Sequence, residues 1–128
     1  MNQKLAMGFD FGSHHIGIAI GQRLTATATP LAIIKAKNGI PNWQDIDALI
    51  KKWQPEVIIV GLPTNMDDSR SLMTRRAEKF ANRLTARYQL PHVLTDERLS
   101  TRAARDHSRA ERIDDLSAAL ILETWLKQ

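Results

Sequence analysis

The 128-residue chain contains no cysteine, which excludes disulfides and thiolate–zinc centres. It has no apolar run near the roughly 20 residues that a membrane-spanning helix needs. Met1-Asn2-Gln3-Lys4 leads directly into a strand-like run, with no separate apolar core of a signal peptide. A cytoplasmic protein without a membrane partner is expected. Neither a P-loop nor a nucleophile-elbow pattern is present. There are also no internal repeats, low-complexity segments or linkers, so residues 1–128 read as one domain.

What is present is ordinary in bulk and uneven in distribution. Hydrophobic residues make up 43% and charged residues 25%, as in a globular protein with a real core. The net charge is +4 and the pI about 9.8, which favours a polyanionic partner, nucleic acid first. Arg70, Arg75, Arg76, Lys79, Arg83 and Arg87 fall on one segment, and Arg98, Arg102, Arg105, Arg109 and Arg112 on the next. Spacings of three and four place several on common helix faces, where a solvated surface is the plainer explanation.

The first element is Lys4 to Gly12. Leu5, Met7, Phe9 and Phe11 alternate there with Ala6, Gly8 and Asp10, which is a strand pattern. Asp10 therefore shares a face with small residues. Gly12-Ser13-His14 is a turn, and Ile16 to Gly21 a second strand whose Gly17, Ala19 and Gly21 again keep one face small. Thr25 to Thr29 carry β-branched residues, and Pro30 to Ala36 continues as a third strand, with Pro30 suited to an edge or a strand start. Asn38-Gly39 and Pro41-Asn42 mark a loop, and Asn42 caps a helix through Trp53 that Pro55 ends. Val57-Ile58-Ile59-Val60 is a strand covered on both faces, followed by a Gly61–Asn65 loop at its ligand-binding end. Residues 70–88 form a helix with Leu72, Ala77, Phe80, Ala81 and Leu84 inward. A strand from Leu90 to Thr95, a short basic helix to about Ser108 and a final helix from Ile113 to Leu126 complete the order. Trp43, Trp53 and Trp125, at helical spacing with aliphatics, belong to the core. The order βββαβαβαα predicts an α/β fold with a mixed five-stranded sheet and helices on both faces.

Three acidic points lie at the edges of apolar segments: Asp10, Asp96-Glu97 and Asp114-Asp115. If the first strand and the Leu90–Thr95 strand are neighbours and the last helix crosses them, Asp10, Glu97 and Asp114 converge. Such an oxygen cluster suits Mg²⁺ or Mn²⁺, and two ions about 4 Å apart support phosphodiester hydrolysis. Without metal, close carboxylates repel and at least one pKa rises. Each residue also has a plainer role: a polar strand end for Asp10, a helix cap or an Arg98 or Arg102 partner for Glu97, and a helix-start carboxylate for Asp114. Periodicity alone does not separate Asp114 from Asp115. His14 and His15 flank Asp10 on the hairpin, where they face solvent or touch phosphate.

These pieces together resemble the YqgF/RuvX-type pre-16S rRNA nucleases, also described as Holliday-junction-resolvase-like proteins. The matching residues are Phe9-Asp10-Phe11-Gly12 with Ile16-Gly17-Ile18-Ala19, Thr27-Ala28-Thr29-Pro30-Leu31, and Ile59-Val60-Gly61-Leu62-Pro63 with Asn65-Met66-Asp67. Asp96-Glu97-Arg98-Leu99-Ser100-Thr101 follows, then Ile113-Asp114 before Ser117-Ala118-Ala119. The resemblance runs almost end to end. It implies an RNase H-like fold and metal-dependent cleavage of phosphodiester bonds. It also implies a role in maturing the 5′ end of 16S rRNA, acting on pre-16S RNA within the pre-30S particle as a monomer or weak dimer. Carried over by motif, Asp10, Glu97 and Asp114 are the catalytic and metal-binding set, with Asp114 favoured over Asp115. His14, His15, Asn65, Arg98 and Arg102 become the nucleic-acid contacts.

Two departures from the family pattern stand out. A basic pair is usual in the turn after the first aspartate, and here it is His14-His15, whose charge depends on pH. The Arg105–Arg112 stretch is shorter than the usual glycine- and basic-rich loop. Two alternative functions remain: resolution of branched DNA, and nucleic-acid binding without catalysis. ATP binding of the sugar-kinase or actin type shares the Asp-x-Gly turn, but the chain is too short for two closing lobes.

Overall fold

A computed structural model describes residues 5–12, 14–62, 72–96 and 115–127. The strands are β1 (Leu5–Asp10), β2 (His15–Gln22), β3 (Thr27–Lys37), β4 (Ile40–Pro41), β5 (Val57–Leu62) and β6 (His92–Asp96). The described helices are α1 (Trp43–Trp53), α2 (Leu72–Tyr88) and α3 (Asp115–Leu126). The sheet order is β4-β3-β2-β1-β5-β6. β1 to β4 form an antiparallel meander, and β5 and β6 add to β1 in parallel.

The sheet has six strands, one more than the sequence pattern predicts. The additional strand follows from Asn38-Gly39, which was expected to be only a loop. Asn38 has φ 53° and Gly39 φ 81°. Two central residues with positive φ make a tight hairpin turn that matches strand twist, so Ile40–Pro41 folds back onto Ala36–Lys37. Pro41 is tolerated because β4 is an edge strand. Pro30 lies within β3 opposite Ala19, next to the register shift at Ile18/Ala19. A bulge of that kind accommodates a residue without an amide donor.

The strand order also corrects the expected neighbour of β1. β5 pairs with both β1 and β6, so β1 and β6 are one strand removed from each other. The reason lies in the crossovers. α1 returns the chain to β5 beside β1, and α2 then carries it outward to β6.

Strand alternation sorts side chains onto two faces. Met7, Phe9, Ile16, Ile18, Ile58 and Val60 meet Ile46 of α1 and Ala77, Phe80, Ala81 and Leu84 of α2. Ala6, Ala19 and Ile59 meet Ala118, Ala119, Ile121 and Leu122 of α3. Helices thus cover both faces, as the alternating elements imply. The side chain of Asn42 caps α1 by accepting from the Gln44 amide at 3.1 Å, and Gln54 closes it in the left-handed region. Leu72, expected to point inward, is the first residue of α2 and is 60% exposed. Trp43, Trp53 and Trp125 pack against the core but are only partly buried. The short basic helix expected before residue 108 lies outside the described residues.

Candidate nucleic-acid-cleaving site

Asp10 is the last residue of β1 and is buried, with 3% of its surface exposed. Its register partners are Gly17 on β2 and Gly61 on β5, and Gly61 pairs in turn with Thr95 on β6. A row of Gly17, Asp10, Gly61 and Thr95 therefore crosses the sheet at one end. Paired residues share a face, so the carboxylate of Asp10 has no side chain beside it from either adjoining strand. The sequence pattern marks Gly17 as small. That Gly61 stands on Asp10's other side follows only from strand pairing.

Asp10 points to the face covered by α3. The direction of α3 follows from the glycines beneath it. A Cβ on Gly21 would lie 2.8 Å from Leu126 Cδ1, and one on Gly8 would lie 2.9 Å from Leu122 Cβ and 3.3 Å from the Ala118 carbonyl. Gly21 pairs with Ala6, two residues earlier on β1 than Gly8. The helix thus runs antiparallel to β1, with its first turn toward the Asp10 end. These glycines have no room for side chains because α3 sits so close to the strands.

β6 ends at Asp96, level with Leu62, one step beyond the row that contains Asp10. The ends of β1 and β6 and the start of α3 therefore lie at one rim of the sheet. β1 and β6 are two sheet spacings apart, about 10 Å. Glu97, Asp114, Asn65, Arg98 and Arg102 lie outside the described residues. Among the described residues no three acidic or histidine side chains gather as a metal cage.

The two histidines differ in setting. His15 opens β2 and shares the parity of Gly17, hence the face of Asp10. His14 precedes the strand, and its carbonyl accepts from the Ala36 amide at 2.8 Å. Both side chains are exposed. Opposite His15 stands Lys35 on β3, also exposed. Local sequence gave no reason to single out Lys35; it comes from the β2–β3 register, and it supplies a fixed positive charge beside the histidine.

On the far side of the sheet, Asp47 of α1 is held by α2. Arg87 donates to both its oxygens at 2.8 Å, and the Tyr88 hydroxyl donates at 2.6 Å. The Arg87 hydrogen bonds, then that of Tyr88, hold the Asp47 carboxyl down at about 2. This cluster fastens α1 to α2 and is separate from Asp10.

Comparison with known proteins agrees with this geometry. The chain is 49% identical over 134 aligned positions to a protein of Pseudomonas aeruginosa (strain LESB58) named "Putative pre-16S rRNA nuclease", covering 98% of this chain and 93% of that one. It is 48% identical to a protein of the same name from Proteus mirabilis (strain HI4320), covering 100% and 99%. In structure it is similar to RuvC of T. thermophilus in complex with a Holliday junction substrate, with TM-score 0.57 and 16% identity over 96% of this chain and 93% of that one. The yeast mitochondrial Holliday junction resolvase Ydc2 matches with TM-score 0.53 and 12% identity, over 98% and 78%. These likenesses place the sheet and its helices in the RNase H-like fold. The family model described as "RuvX: Holliday junction resolvase" matches residues 4–128, and with relatives nearly half identical over almost its whole length, the chain belongs to the RuvX family.

Proposed function

We propose that the chain is a metal-dependent endonuclease that trims the 5′ end of pre-16S rRNA, with Asp10, Glu97 and Asp114 as its catalytic carboxylates. The observation that carries this reading is Asp10 itself, a buried carboxylate at the rim of the sheet, flanked by glycine on both neighbouring strands. A donor set made only of carboxylates, beside strands that carry glycine at the level of Asp10, fits a small hard cation. Asp10, Glu97 and Asp114 would hold Mg²⁺ or Mn²⁺. Bound there, such ions polarise the phosphoryl group and make water a nucleophile at neutral pH.

The rim supports the reading in two ways. β6 ends one residue before Glu97, and α3 begins one residue after Asp114 and runs from the Asp10 end. His14, His15, Asn65, Arg98 and Arg102 contact substrate phosphates, and Lys35 adds a charge beside His15. The names of the relatives favour pre-16S rRNA as the substrate. On this reading the protein acts within the pre-30S particle, in the cytoplasm, as a monomer or weak dimer. The whole chain, residues 1–128, forms the nuclease domain.

Branched DNA is the second reading, favoured by the Holliday junction bound to the T. thermophilus neighbour. The experiment is side-by-side cleavage of an end-labelled 16S leader RNA and a four-way DNA junction, with Mg²⁺ or Mn²⁺. Cleavage of the RNA is expected, and its loss in Asp10→Asn. Undiminished cleavage by that variant overturns the assigned site, and preferential junction cleavage selects the second reading.

A further inference from the structure

A cavity of about 130 Å³ lies between the β3–β4 turn and α2, lined by Asn38, Gly39, Trp43, Arg76, Lys79 and Arg83 among others. Arg76, Lys79 and Arg83 are spaced three and four apart, so they rise from one side of α2. Their charges differ from that of Arg87, which continues the same row. Arg87 is closed off by Asp47 and lies over the Trp43 ring, 5.3 Å from its centroid. Among the described residues Arg76, Lys79 and Arg83 have no carboxylate partner. Three cations around a concavity, without a carboxylate partner among the described residues, focus a positive field, and two are arginines, whose planar donors match phosphate.

The position matters as much as the charge. β3 runs antiparallel to β2, which is antiparallel to β1, so the Asn38-Gly39 turn lies at the Asp10 end of the sheet. Phe11, next after Asp10, packs beneath that turn. A Cβ on Gly39 would lie 2.7 Å from its ring. The cavity thus occupies the same rim as Asp10, around the edge on the α1/α2 face.

We infer that this cavity seats a backbone phosphate of the polynucleotide that enters the site, a few nucleotides from the bond to be cut. The inference rests on the nuclease reading for its substrate, but it concerns binding, which can be measured without cleavage. Phosphate contacts carry no base information, so they position the strand rather than select its sequence.

The test is equilibrium binding of a fluorescein-labelled RNA hairpin with a single-stranded 5′ tail, and of the DNA of the same sequence. It is run in chelator from about 50 to about 200 mM salt. Arg76→Gln/Lys79→Gln/Arg83→Gln is compared with Lys51→Gln/Lys52→Gln/Lys127→Gln. The second variant loses the same charge at the opposite end of the sheet. Circular dichroism melting confirms that both are folded. The cavity variant is expected to weaken binding at least tenfold and to flatten the slope of log Kd against log salt by about 2, for both probes. The control variant is expected to keep the parent slope. Equal losses in the two variants, or no loss in either, overturn the inference. If the parent protein binds as expected but cuts nothing with metal, the nuclease reading fails and the phosphate seat stands.

Discussion

The two faces of the sheet are made by the same strands and differ in nearly every respect. Toward α1 and α2 the strands present Met7, Phe9, Ile16, Ile18 and Val60, packed around Phe80. The Phe80 ring lies 5.7 Å from Phe9, 5.2 Å from Phe11 and 5.8 Å from Trp43. Toward α3, β1 and β2 present Ala6, Gly8, Ala19 and Gly21, with Ile59 of β5 beside them, and at Gly8 and Gly21 the helix comes so close that no side chain fits between. The large-residue face contributes most of the apolar burial. The small-residue face brings a helix terminus close to Asp10. Bulk supports stability on one side, and its lack leaves Asp10 between Gly17 and Gly61 on the other.

Five substitutions would break or sharpen this contrast. Asp10→Asn, on the small-residue face, is expected to lower metal-dependent cleavage by at least a thousandfold, over 4 kcal/mol in the barrier, while the melting curve keeps its cooperativity. A collapse of the fold instead would make Asp10 a structural residue. Phe80→Ala, on the large-residue face, removes three ring contacts and should cost about 3–5 kcal/mol in chemical denaturation. Gly8→Val inserts bulk where even a Cβ is too close to Leu122, and should cost about 1–3 kcal/mol. Combining it with Leu122→Ala should recover the part of that loss due to the valine methyls meeting Leu122 Cδ2, which lies 3.5 Å from a Cβ on Gly8. If the double variant is merely additive, α3 does not sit where the glycines place it.

The smallest effect concerns the α1–α2 clasp. Asp47 has its carboxyl held below the ordinary 3.8, at about 2. A depressed folded-state pKa contributes stability above 3.8 that is lost as pH falls toward 2. Asp47→Asn should therefore melt slightly lower than the parent at neutral pH, and the two melting temperatures should converge between about pH 4 and pH 2. The gap should be modest, because Asp47 and Arg87 are 41% and 45% exposed and solvent screens the pair. Parallel curves across that range would show that the clasp adds nothing to stability.

Much of this contrast is legible in the chain. Leu5, Met7, Phe9 and Phe11 against Ala6, Gly8 and Asp10 already specify one bulky and one small face, because side chains of a strand alternate whatever surrounds them. The Asn42 cap and the stop at Pro55 are equally local, being hydrogen-bond and ring-geometry effects within a few residues. Asp10 is identifiable for the same reason, as a carboxylate on the small face at a strand end. The turn before β4 is also written locally, in Asn38-Gly39, but a two-residue strand shows no alternation by which to recognise it.

Tertiary structure decided the rest. That β5 separates β1 from β6, that Gly61 adjoins Asp10, that Lys35 stands opposite His15 and that Arg76, Lys79 and Arg83 face the β3–β4 turn are matters of pairing between distant segments. No local periodicity encodes them. They follow from which crossovers bury the most apolar surface, a competition that only the whole chain resolves.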